Sequence, residues 1–552
     1  MKIIRRFAAA LILPIILCTA AFSGEKSKDT VILYTNDVHS AVDTNIGYAG
    51  LAAMKQEFEK QHEHVLLVDS GDMIQGDVLC TFSKGMDIIN IVNRAGYDVY
   101  TLGNHEFDYG LPRLEEFLSL LKPQCVNCNI VYSGSKKNIF TKVKPYVIKE
   151  TGGRKIAFLG VTTPNTFASV SLDYFKEDGK LAYNFFGGRH ASVEGLAKTV
   201  QEYVNAARRE GADTVILLSH LGDTENRINS RALIKNSYGI DVVLDGHDHH
   251  VLAGEICKNK DNKDVLLTST GTRFANVGKL IISPDGKIRC ELISSYDKKD
   301  TRVAGYIAAL RKKLDKTLSE TAGHTAFELS GKSADGIRLT RNRETGIGNF
   351  CADAVKYAAK TDIAIINGGG IRTAIPAGDI TTGSLLNVFP FDNRLCAAEV
   401  SGKTLLEVLE FSCCQIQRDY KKDGQAVGEF GGFLNVAGIS FTVDTSVSSP
   451  AVTDENNIFV KIDGRRRVSD AWLIDKNGRK TEKIDENKTY SIASIDYLLD
   501  RGGNGYSLLK SLKKLPCPVL TDCEALQLYI KEGLNGEIPN RYKQPEGRIT
   551  VK

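Results

Sequence analysis

Residues 99–106, Val-Tyr-Thr-Leu-Gly-Asn-His-Glu, decide how the first half of this chain is interpreted. The apolar run Val99–Leu102 has the length of a buried strand, and it stops at a glycine that lets the backbone turn sharply. Three side chains able to coordinate a metal ion follow at once, at Asn104, His105 and Glu106. A strand that ends in potential ligands predicts a functional site at the edge of a sheet.

Four further apolar runs end in the same way. They are Val31–Tyr34, Val65–Val68, Val215–Leu218 and Val242–Leu244, and the potential ligands that follow them are Asp37, His39, Asp72, His220, His247 and His249. Amphipathic stretches separate the runs, as is typical of βαβ units, and Ile156–Val161 predicts one more strand. Ligands in such folds bind beside the carboxyl ends of the strands, so we expect these distant side chains to converge.

The residue types at these strand ends favour a metal site. Aspartate, asparagine and histidine without cysteine suit borderline divalent ions such as zinc, manganese or iron, and a central carboxylate can bridge two of them. The set therefore predicts a two-metal phosphoesterase site. The alternative is that these residues are buried, hydrogen-bonded polar groups that merely close the edge of the sheet.

Length and composition indicate a folded protein with two large domains. The chain has 552 residues, of which 42% are apolar and 25% charged, and a single core rarely grows beyond about 250–300 residues. An amphipathic helix predicted over residues 302–321 divides the chain into a domain at 29–298, a connector at 299–321 and a domain at 322–552. The net charge of +4 gives no electrostatic footprint for a nucleic-acid polymer, so no such partner is expected.

The second half begins another α/β unit. A helix is predicted over Ile347–Ala359, a strand over Ile363–Ile366 and a further helix over Thr404–Phe411. Three consecutive glycines, at 368–370, follow the strand and would let backbone amides approach a ligand closely. A plain turn is the alternative explanation of the same glycines.

The first 23 residues have the layout of a secretory signal peptide. Lys2, Arg5 and Arg6 precede an apolar stretch from Phe7 to Phe22, and small residues follow. We therefore expect an exported monomer that is periplasmic, secreted or on the cell surface, with no transmembrane segment in the mature chain. An uncleaved anchor helix and a lipidated Cys18 are the alternatives.

The cysteines do not define a disulfide framework. Eleven follow Cys18, an odd number, so at least one thiol is expected to stay unpaired or to pair between chains. Cys125 and Cys128 form a CxxC motif without a second such motif nearby, which predicts a structural pair or two free thiols rather than a zinc site.

The strand-end motifs resemble those of the calcineurin-like metallophosphoesterases. With the second half included, the chain resembles the secreted bacterial 5′-nucleotidase and UDP-sugar hydrolase family over essentially the whole mature sequence. The motifs of the second half are Asn367-Gly-Gly-Gly-Ile-Arg372, Phe389-Pro-Phe-Asp392 and Gly502-Gly-Asn-Gly-Tyr506. The resemblance implies an α/β fold: an N-terminal α/β/β/α sandwich, a helical connector and a C-terminal α/β substrate-specificity domain.

The resemblance also implies roles for individual residues. One metal ion would be held by Asp37, His39 and His249, the other by Asn104, His220 and His247, with Asp72 as the bridge. His249 stands where some relatives have glutamine. His105 and Asp108 match the family's catalytic pair, although Asp108 is also placed to cap the helix that follows.

Substrate binding is implied for residues of the second half. Arg341, Asn367 and Arg372 match substrate-binding positions, and Phe391 matches one aromatic residue of a clamp around the base. The second aromatic position falls on Leu498 by residue count, with Tyr497 adjacent, and Asn504 replaces the aspartate of the family motif. Weak discrimination among bases is therefore expected.

The sequence favours an exported hydrolase that releases phosphate from nucleoside 5′-monophosphates with two divalent metal ions, zinc, manganese or similar. UDP-sugars, nucleoside di- and triphosphates and 2′,3′-cyclic nucleotides are further candidate substrates. Two alternatives stay open: a hydrolase of a non-nucleotide phosphoester, and a catalytically inactive nucleotide-binding surface protein.

Overall fold

The computed structural model describes residues 26–170, 172–186, 192–224 and 228–552. The predicted signal peptide, with Cys18, lies outside the described residues. Among the helices of the described residues, none combines the length and apolar character needed to cross a lipid bilayer.

Two six-stranded sheets form the described part of the first half. One contains, in spatial order, Ile288–Ile293, Val277–Ile282, Ser27–Thr35, His62–Asp69, Val99–Tyr100 and Gln124–Cys125. The other contains Val251–Lys258, Asp264–Thr270, Val242–Leu244, Thr214–His220, Arg154–Thr162 and Tyr146–Thr151. Helices of this half are Gly47–Gln61, Val78–Ser83, Met86–Ala95, Gly110–Leu120, Thr166–Ser169, Val193–Arg209 and Ser230–Asn236.

The two faces of each sheet are both covered, which explains why the strands are continuous apolar runs. In strand Ser27–Thr35, Ile32 and Tyr34 pack in a core shared with the other sheet. Val31 and Leu33 point the opposite way and pack in a core with the outer helices. Strands buried on both faces lose the alternation of half-exposed strands. The predicted α/β/β/α sandwich is confirmed.

The five predicted runs are divided between the two sheets. Three lie parallel in the first sheet and two lie parallel in the second. Their carboxyl ends nevertheless meet, because Ser70 Oγ, after one strand of the first sheet, donates a hydrogen bond to the carbonyl of Leu244 at the end of a second-sheet strand, at 2.8 Å. The potential ligands therefore converge from two sheets rather than from one.

A helix at Thr301–Leu318 joins the halves. Asp300 caps it by accepting hydrogen bonds from the backbone N–H groups of Arg302 and Val303. Arg311 pairs with Asp43 of the first half, at 2.7 Å. The helix ends three residues before the predicted end, because residues 321–325 form a strand instead.

The second half is built on a mixed sheet with, in spatial order, strands Leu434–Ala437, Ile363–Asn367, Thr489–Ile495, Leu395–Ser401 and Lys513–Leu515. A second sheet contains Lys480–Lys483, Val468–Ile474, Ile439–Val443 and Ile549–Val551. The helices are Gly346–Ala359, Thr382–Val388, Gly402–Ser412, Asp496–Leu499 and Asp522–Leu528. Both halves also contain short two-stranded sheets. One in the first half pairs Val131–Tyr132 with Tyr183–Asn184, and two in the second half pair Thr321–Thr325 with Gly378–Thr381 and Ala451–Thr453 with Phe459–Ile462.

The cysteines of the described residues are free thiols. Cys125 and Cys128 are therefore two free thiols, which is the second of the two predicted alternatives. Burial raises the pKa of each of these thiols to about 12, which keeps them protonated and unreactive at neutral pH.

Candidate functional site

The loop after strand Ser27–Thr35 places Asp37 and His39 in the protein interior. Asp37 accepts hydrogen bonds from the side-chain amide of Asn36, at 2.7 Å, and from the backbone N–H of His247, at 2.9 Å. His39 Nδ1 lies 3.1 Å from the carbonyl oxygen of Gln75, so that ring nitrogen carries the proton. The other nitrogen, Nε2, therefore keeps its lone pair for a metal ion, and it lies 2.9 Å from Nε2 of His249.

Asp72 lies between two groups of potential ligands. Its Oδ2 is 3.1 Å from Nε2 of His220 and 3.8 Å from Nε2 of His39. His220 Nδ1 lies 2.8 Å from the carbonyl of Ser70, which again fixes the proton on the far side of the ring. Three of the four candidate metal-binding groups in the described chain lie here: Asp37 with His39 and His249, His39 with Asp72 and His105, and Asp37 with Asp72 and His220. The fourth consists of Asp223, Asp248 and His250.

Asn104 and His247 complete the predicted set. Asn104 Oδ1 is buried and has no hydrogen-bond partner among the described residues. The ring of His247 lies 5.3 Å from that of His220, and both His247 and Asn104 line the same cleft. Buried ligand atoms of this kind fit a cation that completes their coordination.

The backbone of this region is strained. Asp37, His39, Asp72, His247 and His249 all have positive φ angles, between 48° and 84°, which residues with side chains rarely adopt. Such strain persists only where the surroundings enforce it, and it is concentrated at functional sites. Here it occurs at five of the seven predicted metal ligands.

Glu106, which the predicted ligand set leaves out, does not line the cleft. It supports the loops that carry the predicted ligands Asp72 and Asn104, here called the metal loops. Its carboxylate accepts hydrogen bonds from the backbone N–H groups of Asp72, at 2.9 Å, Met73, at 2.8 Å, and Gly103, at 2.6 Å. It thereby ties the loop of Asp72 to the loop of Asn104. The sequence signal for a functional role of Glu106 is its place in the motif Gly-Asn-His-Glu at residues 103–106.

Burial makes the carboxyl groups of Asp37 and Glu106 costly to ionise. Desolvation, with repulsion from Asp72, raises the pKa of Asp37 to about 6, although His220 opposes the rise. Desolvation and Asp72 likewise raise the pKa of Glu106 to about 7. Burial and the neighbouring His220 lower the pKa of His247 to about 4, so this ring is a neutral, metal-competent imidazole.

His105 and Asp108 form a close pair beside the metal groups. His105 Nδ1 lies 2.6 Å from Asp108 Oδ2, and the backbone N–H of His105 donates to Asp72 Oδ1 at 2.8 Å. Burial lowers the pKa of His105, but the carboxylates of Asp108 and Asp72 outweigh it and raise the pKa overall. Asp108 does not cap the following helix: the capping position is Tyr109.

Residues of the second half face this site across the cleft. Arg372 NH2 lies 3.4 Å from His39 Nε2, and the guanidinium is 5.7 Å from the ring centre of Phe391. The ring of Phe391 lies 6.0 Å from that of His105. Burial and mutual repulsion among arginines lower the pKa of Arg372 to about 10 and that of Arg341 to about 9. Neither has a carboxylate partner within the described residues, which favours an anionic ligand.

An arginine that the sequence did not single out lies beside them. Arg338 makes a two-bond pair with Glu429, at 2.6 and 2.7 Å, and its NH1 lies 3.3 Å from Nδ1 of His249. Arg338 and Glu429 are 91 residues apart in the sequence, so no local motif predicts that they pair. Arg343, in contrast, donates to the backbone carbonyls of Gln417 and Arg418 and does not line the cleft.

The predicted base-binding position at Leu498 is wrong. Leu498 is fully buried in the core of the second half, whereas Tyr497 lines the cleft. In helix Asp496–Leu499 consecutive side chains point about 100° apart, so a shift of one residue exchanges core for cleft. Tyr497 donates to the carbonyl of Ser169 at 2.9 Å and accepts from the backbone N–H of Asn504 at 3.1 Å.

Asn367 and Asn504 lie together in the cleft, as the side-chain amide of Asn367 donates to Oδ1 of Asn504 at 3.1 Å. The cleft between the halves has a volume of about 1520 Å³. Its walls carry imidazoles and carboxylates from the first half, and arginines, amides and aromatic rings from the second. The arrangement can hold a phosphate at one end and, at the other, a flat group with an apolar face and edges that form hydrogen bonds.

Two family models match the chain. Residues 322–511 match the model described as 5′-nucleotidase, C-terminal domain, and residues 61–270 match the model described as bacterial capsule synthesis protein PGA_cap. Together they cover most of both halves.

Curated relatives extend over nearly the full chain. The trifunctional nucleotide phosphoesterase protein YfkN of Bacillus subtilis is 27% identical over 522 residues, covering 87% of this chain and 32% of that protein. The chain thus spans about a third of the length of that relative. The 5′-nucleotidase of Diplobatis ommata is 26% identical over 581 residues, covering 97% of this chain and 92% of the relative.

Among solved structures, a 5′-nucleotidase precursor from Thermus thermophilus superimposes with a TM-score of 0.78 at 24% sequence identity. The match covers 95% of this chain and 99% of that chain. The two proteins share their fold.

Substitutions of Asp72 and His105 are expected to separate metal binding from turnover. Asp72→Asn should abolish activity and metal retention together, because an amide carries no charge to place between two cations. His105→Ala should keep the metal and lose a factor of roughly 10²–10⁴ in rate. Metal content by mass spectrometry and phosphate release measure the two effects; an equal loss of metal in both variants would contradict these roles.

Proposed function

The chain belongs to the 5′-nucleotidase family of metallophosphoesterases, and we propose that it releases phosphate from nucleoside 5′-monophosphates. One observation carries the proposal: the candidate metal groups and the aromatic ring of Phe391 face the same cleft, with Arg341 and Arg372 on its wall. A nucleotide has the matching chemistry, a phosphate at one end and a flat base at the other. The class of the enzyme, a hydrolase, follows from the family.

We further propose that the cleft holds two divalent ions. Asp37, His39 and His249 would hold one ion, Asn104, His220 and His247 the other, and Asp72 would bridge them. The Nε2 atoms of His39 and His220, whose rings are protonated on Nδ1, and the buried Oδ1 of Asn104 support this assignment. Zinc or manganese suits such mixed nitrogen and oxygen ligands. The chemistry that such ions supply when bound is a lowered pKa of water and neutralised phosphate charge.

The protein's own residues then act on the phosphate. Asp108 holds the proton of His105 on Nδ1 and leaves Nε2 towards the cleft, where a protonated ring would donate to a phosphate or leaving-group oxygen. Arg341 and Arg372 would pair with phosphate oxygens, since neither guanidinium is committed to a carboxylate within the described ranges. An anion would also relieve the repulsion that lowers their pKa values.

Base binding is proposed for Phe391 and Tyr497. Phe391 offers a ring beside His105, and Tyr497 lines the cleft in place of the predicted Leu498. Asn367 and Asn504 supply amide groups on the same wall. The sequence-based expectation of a single aromatic face, and hence of weak discrimination among bases, loses its premise once Tyr497 is available.

The size of the cleft supports a wider substrate range. Its volume of about 1520 Å³ exceeds the roughly 300–1,000 Å³ of typical small-molecule sites. UDP-sugars, nucleoside di- and triphosphates and 2′,3′-cyclic nucleotides are therefore proposed as further substrates. Export through the signal peptide at residues 1–23, and action as a monomer, are proposed from the sequence alone.

Phosphate release from AMP with and without a chelator tests this function. We expect activity in the metal-loaded protein, loss with excess EDTA, and recovery when zinc or manganese is restored. A panel with AMP, UDP-glucose, 2′,3′-cyclic AMP, ribose 5-phosphate and glycerol phosphate ranks the substrates. A preference for glycerol phosphate would indicate a non-nucleotide ester, and AMP binding without turnover would indicate an inactive binding protein.

Substitution of Phe391 is expected to affect base recognition alone. Stacking on a base contributes about 1–3 kcal/mol, so Phe391→Leu should raise KM for AMP by about 5- to 150-fold. The kinetics with ribose 5-phosphate, which has no base, should change less than twofold. Phe391→Tyr, which keeps the ring, is the matched control and should retain the AMP kinetics. Equal losses on both substrates would show that Phe391 does not contact the base.

A further inference from the structure

Gln75 connects the metal loops to the second half. Its backbone carbonyl lies 3.1 Å from Nδ1 of His39, so it orients a predicted metal ligand. Its side-chain Nε2 donates to the carbonyl oxygen of Pro390, also at 3.1 Å. Pro390 immediately precedes Phe391 in the chain. One residue therefore touches both a predicted metal ligand and the loop that carries the aromatic ring.

The environment of Gln75 holds it in one place. The residue is 1% exposed and has a φ angle of 71°, a strained value for a residue with a side chain. Its backbone N–H lies 3.1 Å from Sγ of Cys80. Its Oε1 has no hydrogen-bond partner in the described ranges, so Pro390 and, at 3.4 Å, the hydroxyl of Tyr109 orient the amide.

The carbonyl of Pro390 receives a second hydrogen bond from the first half. Thr81 Oγ1 donates to it at 2.6 Å. Thr81 lies on helix Val78–Ser83, whose N-terminus is capped by the side chain of Asp77. Two donors from the first half thus converge on one carbonyl, and they hold the loop of Phe391 against the segment that carries Gln75 and Thr81.

We propose that Gln75 is a positioning residue that sets the separation between the metal centre and Phe391, and so selects nucleotides over phosphate esters without a base. The inference rests on the proposed function. A nucleotide must reach both ends of the cleft at once, so its binding depends on their separation. Ribose 5-phosphate reaches only the phosphate end, so its binding does not depend on this separation.

The test compares AMP with ribose 5-phosphate, which share the same scissile bond. Gln75→Met removes the amide donor, keeps the length of the side chain and leaves the backbone carbonyl on His39. We expect kcat/KM for AMP to fall about 3- to 10-fold, mainly through KM, as for the loss of a single neutral hydrogen bond. The value for ribose 5-phosphate and the metal content should change less than about twofold.

Further variants guard against a folding defect at this strained position. Gln75→Asn suits a positive φ angle but is one methylene too short to reach Pro390, and Thr81→Val removes the second donor without touching Gln75. Both variants should lower the ratio of kcat/KM for AMP to kcat/KM for ribose 5-phosphate. The double variant, Gln75→Met with Thr81→Val, should lower this ratio about 10- to 50-fold, as for the loss of two such hydrogen bonds. Gln124→Met, the same change at an exposed strand position, is the control and should leave the ratio unchanged.

The outcomes separate the inference from the function on which it rests. If the wild-type protein prefers AMP and the ratio of kcat/KM values is unchanged in these variants, the inference alone is overturned. An equal loss of kcat/KM on both substrates, together with loss of metal, also overturns the inference alone. A wild-type protein that turns over ribose 5-phosphate as well as AMP overturns the proposed base recognition and the inference with it.

Discussion

The rest of the structure depends on two carboxylates, Asp37 and Asp72, that lie in the protein interior with no lysine or arginine paired to them in the described chain. Burying an ionised carboxylate costs several kcal/mol unless the charge is compensated. Backbone N–H groups of His247 and His105 compensate part of the charge, and imidazoles surround the remainder. Divalent cations would compensate the rest, and the imidazole and amide atoms around the two carboxylates are of the type that such cations bind.

The fold serves this constraint through its loops. Parallel strands from two sheets carry the candidate metal ligands at their ends, and Glu106 holds two of the loops together through their backbone N–H groups. Gly103 is required by space: a Cβ there would lie 2.2 Å from Oδ1 of Asp72. The second half then closes the cleft with Arg372 and Phe391, so the proposed phosphate and base sites share one volume.

The sequence predicts those features that follow from local pattern. Each strand is an apolar run and each candidate ligand lies at the end of its strand or within a few residues of it, so the candidate ligands could be predicted from the order of residues. Their assignment to two ions came from the family resemblance. Features that depend on distant partners could not. The pair of Arg338 with Glu429 and the bond from Gln75 to Pro390 join residues 91 and 315 positions apart. Counting from a motif also misplaced the aromatic residue, because the short helix at Asp496–Leu499 decides that Tyr497, not Leu498, faces the cleft.

A crystal structure of the metal-loaded protein with a non-hydrolysable nucleoside phosphonate tests the central claim most directly, with data collected at the absorption edge of the metal. We expect two anomalous peaks, one on each side of Asp72, with the phosphonate against both and the base against Phe391. A single peak away from Asp72, or a base bound outside the cleft, would contradict it.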